Sequence, residues 1–425
     1  MPTGSAAGTS STDDFHRCRR MHSHRHVHFT EQPGEKMIVT DGWVLHARPA
    51  DEERPVAVED VLRRETFSFS EPDEDEVLVE PLYGSWEANL DHALSRDPVD
   101  VCRLRNEESV IIGNLGVVRV LRPGSPSRTS LREGDVCMVM PFGKSDRYGY
   151  AELVYAYDMP GTVGILAKRT KIRADVLLPV PPETRHSLPQ WAAYARYFTA
   201  WDNWNIAYQC WSAQMREEEP GDHLVFGWGG GVSLAELELA RRAGFRVAMT
   251  ASTEERLAHL RRKGIQPVDR RLFPDLAEGG RGGRPSAIAD RRYRASEREF
   301  LNVIADLSDG AGAAIFIDNI GAPLYKATLK SLARQGVLTT VGWKHGMTTM
   351  NRRASECIQR HLHVNTHVWR FQDSATIRDY QESTGWIAEI DPDAIYGFDE
   401  IPELAQDYQM GKLSTYFPIY RVNRE

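Results

Sequence analysis

The chain has no run near the about 20 consecutive apolar residues needed to cross a bilayer, so no membrane span is expected. It has no surplus of positive charge either. The 52 Lys and Arg against 60 Asp and Glu give a formal net charge of -8, which points away from a general nucleic-acid binder. Cysteine is scarce. Cys18, Cys102, Cys137, Cys210 and Cys357 lie far apart with no C-x-x-C pair, which argues against a disulfide framework or a four-cysteine zinc lobe. They read as reduced thiols packed as small hydrophobes. The first 36 residues lack the apolar segment of a secretory leader, and a cytoplasmic location is the expectation.

What is present is an ordinary globular composition, 41% hydrophobic and 26% charged over 425 residues, enough for two or three domains. Residues 1 to about 36, rich in Ser, Thr, Gly, Asp and His, read as a disordered or loosely attached tail. Its alternating His22, His24, His26 and His28 would face one way if extended, but a mobile tail gives a metal no supporting shell. From 37 to 195 the text is strand-like and β-rich, with short apolar runs at 76–83, 109–113, 116–121 and 135–140 closed by Gly, Pro or charged turns. A helical stretch opens near 182. Strand and helix signals then alternate, with strands at 222–226, 245–250, 313–318 and 336–341 and a helix at 232–243 closed by Gly244. This is an α/β pattern, a doubly wound parallel sheet with helices on both faces. An arginine- and glycine-rich stretch at 273–298 reads as an exposed insertion.

The run Gly227-Trp228-Gly229-Gly230-Gly231-Val232 follows an apolar strand and precedes an amphipathic helix. Glycine permits positive φ and close backbone approach, and the helix N-terminus offers free N–H groups, so this is the physical recipe for holding a pyrophosphate. After the second strand, an acidic residue would select the ribose hydroxyl of NAD. Here that place is Ala251, followed by Ser252, Thr253 and, one turn on, Arg256, a set suited to a 2′-phosphate; NADPH is the expected cofactor. Asn319 and Gly342 end two later strands, where cofactor contacts gather, and Lys344 follows closely.

A β-rich module followed by such a unit resembles the medium-chain dehydrogenase/reductase superfamily, over roughly residues 37 to 425. The resemblance implies a GroES-like catalytic domain over 37–195, completed by about 376–425 with the last strand returning to it, and a Rossmann domain over 196–375. The zinc-dependent members carry Gly-His-Glu where this chain has Gly113-Asn114-Leu115-Gly116. An amide and an aliphatic side chain cannot replace those ligands, so the chain looks like a zinc-free member and no metal is expected. Within that group it resembles the crotonyl-CoA carboxylase/reductases, through Tyr83-Gly84-Ser85-Trp86, the arginine-containing insertion, 336–342 with 347–351, Asn365-Thr366-His367-Val368-Trp369, and Tyr157-Asp158.

In that family an aromatic–Glu pair, an Asn and a His hold carbon dioxide beside the enolate. Here His367 is retained, Tyr157 takes the aromatic place, Asp158 the acid, and the Asn position falls on Gly84, with Asn89 as the alternative. The shorter acid and the missing amide weigh against carboxylation. The resemblance implies an NADPH-dependent reductase of an activated alkene, an enoyl thioester on CoA or a carrier protein, with a proton from Tyr83, His367 or water. Relatives pair through sheet edges, so a homodimer or homotetramer is expected. Quinone or enone reduction is an alternative. A binding or scaffolding protein that lost the chemistry is another, suggested by the departures at Gly84, Asp158 and Ser233, the last standing where the loop usually ends in glycine. Each side chain also has a structural reading: Tyr83, Trp86 and Tyr157 as core aromatics, Asp158 as a turn acid, and Arg291, Arg292 and Arg294 as solvating charge rather than a CoA phosphate site.

Overall fold

The computed structural model describes residues 36–47, 58–97, 99–277, 287–322, 324–342, 359–366 and 369–425. His22, His24, His26, His28, Lys344 and His367 lie outside the described residues, as does 278–286.

The strands before residue 180 are β1 (Met37–His46), β2 (Leu62–Ser70), β3 (Glu76–Ser85), β4 (Ser109–Val110), β5 (Gly116–Pro123), β6 (Val136–Val139), β7 (Phe142–Ser145), β8 (Ala151–Val154), β9 (Thr170–Arg173) and β10 (Leu177–Pro179). Their described pairings are antiparallel. β3 organises this half. Val77, Val79 and Leu82 are fully buried along it, and its ladder with β5 shifts register between Pro81 and Tyr83. A proline cannot donate to a ladder, so the irregularity is expected there. On its other side β3 pairs with β9 through Glu76–Val79 and then, through Tyr83–Ser85, with the last strand of the chain, Ile419–Arg421.

Two helices, Leu188–Ala192 and Tyr194–Gln214, lead into the second half. The first begins with Pro189 in its opening turn, and the Ser187 amide donates to Gln190 Oε1 at 3.0 Å, closing the N-terminus. The second buries Tyr194, Tyr197, Phe198, Trp204 and Trp211. Then come β11 (Leu224–Trp228), β12 (Arg246–Ala251), β13 (Gln266–Asp269), β14 (Ala313–Asp318), β15 (Leu332–Thr340) and β16 (His363–Thr366), paired in parallel in the order β13-β12-β11-β14-β15-β16. β11 and β14 are buried at every residue, as central parallel strands covered on both faces must be. From β11 the chain winds outward to β12 and β13, then crosses back to β14 on the other side. The crevice at the carboxyl ends of β11 and β14 is therefore the topological switch point. Ile419–Arg421, the last of the described strands, is β17.

The stretch expected as an exposed insertion differs. Phe273, Leu276 and Tyr293 are buried, and residues 287–298 begin a 21-residue helix, Ala287–Leu307. Tyr293, Phe300 and Ile304 recur on its buried face and pack with Phe226, Trp228 and Phe316 of the sheet. The arginines between them hid that stripe; Arg294, for one, pairs with Asp290 one turn away.

Candidate functional site

The strand ends bring most of the expected residues together. Trp228 pairs with Asp318, Ile317 with Thr339, and Thr340 with Thr366, so the residues after β11, β14, β15 and β16 leave one edge of the sheet side by side. Gly227 belongs to β11 itself and lies inside the sheet rather than in the turn. Gly229 makes the turn at φ +141°, a conformation open to glycine and strained for other residues. Gly230 is the N-cap of the helix Gly231–Arg242, and a side chain built there would meet nothing within 4 Å. Gly231 and Val232 open that helix, with Gly231 against the Phe417 ring. An open turn followed by a helix N-terminus fits a dinucleotide pyrophosphate.

Beneath the loop lies a buried polar network. Ser233 is fully buried; its hydroxyl donates to the Trp228 carbonyl at 3.1 Å and accepts from Asn319 Nδ2 at 2.9 Å. The serine thus ties the turn down from below. Asn319 Nδ2 also reaches Glu236 Oε1 at 3.0 Å, while its Oδ1 accepts the Val341 amide at 3.0 Å. Glu236 is fully buried, and its Oε2 accepts from Asn203 Nδ2 at 2.7 Å; Asn203 Oδ1 in turn accepts from Thr339 Oγ1 at 2.7 Å. Burial, opposed by the two amide bonds, pushes the Glu236 carboxyl up to about 8. The Asn319 side chain turns inward to brace three strand ends, which leaves its backbone as the part expected to meet the cofactor. Gly342 follows β15 directly against the Asn319 backbone carbonyl.

At the end of β12, Ser252 is followed by Thr253, whose Oγ1 caps the helix Glu254–Arg262 by accepting the Arg256 amide at 3.3 Å. The Arg256 guanidinium is engaged elsewhere. It donates to the carbonyls of Leu413 at 2.9 Å, Ser414 at 3.3 Å and Thr415 at 3.0 Å and sits 4.9 Å from the Tyr416 ring. It clamps the C-terminal segment onto the second half.

The β-rich half contributes differently. Tyr83 Oη donates to Glu425 Oε1 at 2.8 Å, and burial followed by that carboxylate pushes its pKa to about 12. Tyr157 is buried in the core that also holds Trp43, Trp86 and Tyr420, where burial first and Glu87 second raise its pKa. Asp158 Oδ1 accepts the Val154 amide at 2.6 Å and closes its own turn. A side chain at Gly84 would run into the Tyr420 ring, which occupies that space. The structure therefore does not draw Tyr83, Tyr157, Asp158 and the glycine loop into one group by any described contact.

No protein-family model and no curated protein matches the chain. Solved structures do. The 2-octenoyl-CoA carboxylase reductase CinF, from a Streptomyces species, in complex with NADP and 2-octenoyl-CoA, is similar at 18% identity over 90% of this chain and 87% of that one, with a TM-score of 0.72. The crotonyl-CoA carboxylase/reductase AntE in complex with NADP is similar at 19% identity over 91% and 95%, with a TM-score of 0.70. A thermostable alcohol dehydrogenase from Pyrobaculum aerophilum is similar at 14% identity over 91% and 100%, with a TM-score of 0.65. The chain has the medium-chain dehydrogenase/reductase fold.

Within this fold, the segment compared above with a zinc motif carries Asn114, 2% exposed, whose Nδ2 has no protein partner among the described residues. Two acids escaped the sequence reading. Glu236 lies on a helix whose residues 233–240 are all buried, so a carboxyl there was a flag in principle. Glu87 follows β3 and accepts from Asn89 Nδ2 at 2.9 Å; burial raises its pKa against the pull of Arg196. Arg196 Nη1 donates to the Trp86 carbonyl at 2.9 Å and its guanidinium lies 5.8 Å from the Phe417 ring, joining the two halves beside Gly231.

Proposed function

We propose that this chain is an NADPH-dependent reductase of an activated alkene, with an enoyl thioester as substrate. The observation that carries the reading is the open glycine turn of Gly229 and Gly230 at the switch point between β11 and β14. The Gly231 and Val232 amides would hold the pyrophosphate, and Ser252 and Thr253 the 2′-phosphate, with no carboxylate at Ala251 to exclude it. When bound, NADPH supplies hydride to the β-carbon. Support comes from fold neighbours whose structures contain NADP and, for CinF, 2-octenoyl-CoA.

The chain's own groups would then hold the thioester and deliver a proton. His367, next in sequence after β16, is the side chain we assign to the substrate, with water as the proton source. The Tyr83 hydroxyl is committed to Glu425, so we do not assign it the proton transfer. Because the Tyr420 ring fills the space beside Gly84, we assign protonation rather than carbon dioxide capture to this site. Mixing the purified protein with NADPH and crotonyl-CoA, with and without bicarbonate, tests both points. Consumption of NADPH giving butyryl-CoA is expected; silence with every enoyl-CoA and carrier-bound enoyl substrate would sink the proposal, and an ethylmalonyl product would overturn the second point alone.

A further inference from the structure

Glu236 is a fully buried carboxyl inside the helix that opens with the glycine loop, five residues and so about 7.5 Å along the axis from Gly231. The ionisable groups on the surrounding elements are turned elsewhere. On its own helix Glu238 pairs with Lys263 at 2.9 Å, and on the helix Tyr194–Gln214 Asp202 pairs with Arg370 at 3.3 Å. Arg196 is taken by the Trp86 carbonyl, and Asp318 accepts the Ile320 and Gly321 amides and Thr328 Oγ1. Only neutral amides, from Asn203 and Asn319, hydrogen-bond the Glu236 oxygens among the described residues.

These two amides are not equivalent. Asn319 is locked, because its Oδ1 must stay on the Val341 N–H; reversing it would set two donors against each other. Asn203 is free to reverse, because its other partner, the Thr339 hydroxyl, can accept as readily as it donates. The site therefore has two fully hydrogen-bonded states. Ionised, Glu236 accepts from both amides. With a proton on Oε2, it donates to a reversed Asn203 Oδ1, while Asn203 Nδ2 donates to Thr339 and the Asn319 brace beneath the loop is untouched.

We propose that Glu236 takes up a proton when an anionic dinucleotide binds at this loop, so that cofactor affinity falls as pH rises. The proposal rests on the dinucleotide reading above. The cause is electrostatic. A pyrophosphate at the helix N-terminus adds negative charge near a carboxyl in a low-dielectric interior, which favours the neutral form. Burial has already raised this group toward neutrality, so a modest extra push changes its state. By linkage, the state that binds more protons is favoured at low pH.

The test is NADP+ and NADPH titration of the full chain from about pH 7 to about pH 9.5, with proton uptake measured by calorimetry in two buffers of different ionisation heat. The wild-type Kd is expected to rise about three- to tenfold across that range, with net proton uptake near the middle of it. Glu236→Gln reproduces the protonated state without a titrating group, its Oε1 accepting from Asn319 and its Nε2 donating to a reversed Asn203 Oδ1, so it should bind more tightly at the alkaline end and lose the pH dependence. A wild-type Kd flat over the range, or an equal slope in Glu236→Gln, would overturn the coupling while leaving the dinucleotide site standing. No binding at any pH by either protein would overturn both.

Discussion

Two clusters of buried polar groups, one beneath the glycine loop and one around the end of β3, are treated in opposite ways. Under the glycine loop, Ser233, Asn203, Glu236, Asn319 and Thr339 are partnered with one another. Around the end of β3 in the β-rich half, Ser85 Oγ, Trp86 Nε1, Asn114 Nδ2 and Tyr420 Oη are buried with no protein partner among the described residues. A buried group left unpaired costs about 1–3 kcal/mol, so natural chains do not gather several without a use. The loop side is braced by its own side chains before any ligand arrives. The facing side is shaped by steric fit, with Tyr420 against Gly84, and its polar atoms remain available to bond something other than protein.

The comparison breaks most visibly at Asn319. Asn319→Ala strands the Val341 amide and removes a donor from both Ser233 and Glu236, and is expected to cost about 3–4 kcal/mol in urea denaturation. A loss under about 1 kcal/mol would mean that the network holds nothing in place. Gly229→Ala should come next. The added methyl meets Ser233 Oγ and forces positive φ on an alanine, for about 2–3 kcal/mol of stability and a more than tenfold loss of NADPH affinity.

Glu236→Gln sharpens the contrast through pH. The folded pKa lies near 8, above the ordinary 4.5, so the folded state holds this proton longer than the unfolded chain. The stability contributed by that proton is fully present below about 4.5 and is lost as pH rises toward about 8. The variant should therefore gain stability relative to the wild type as pH rises toward about 8 and nothing in acid, read from denaturation curves of both proteins. The smallest effect belongs to the other side. Tyr420→Phe removes a buried hydroxyl that no described protein atom bonds, and stability should be unchanged or rise by about 1 kcal/mol. A loss above about 1.5 kcal/mol would show that the hydroxyl is bonded after all.

The fold was legible because its signals are local: an apolar strand, a glycine turn and a helix closed by Gly244 need only neighbouring residues to recognise them. The turn itself was read one step early, since β11 runs on to Trp228 and keeps Gly227 inside the sheet. The brace beneath it was not legible. It assembles residues 203, 233, 236, 319 and 339, whose proximity exists only after the sheet has formed. The partners of Arg256 were hidden for a related reason, because a basic residue at the right offset says nothing of the distant carbonyls at 413–415 that take up its donors. In the 273–298 stretch, charge masked a buried stripe that the 3.6-residue period still contained at Tyr293, Phe300 and Ile304.

Gly84 and Tyr420 share a single volume between neighbouring strands, and neither can change its size alone. For an engineer this makes them one design variable with two sequence addresses. A larger residue at 84 is admissible only beside a smaller one at 420, as in Gly84→Asn with Tyr420→Ala, and for a drifting lineage the two substitutions must travel as a pair. Such an exchange would trade an aromatic wall for an amide in the same space, converting the facing domain from a surface that fits by shape into one that recognises by hydrogen bonding.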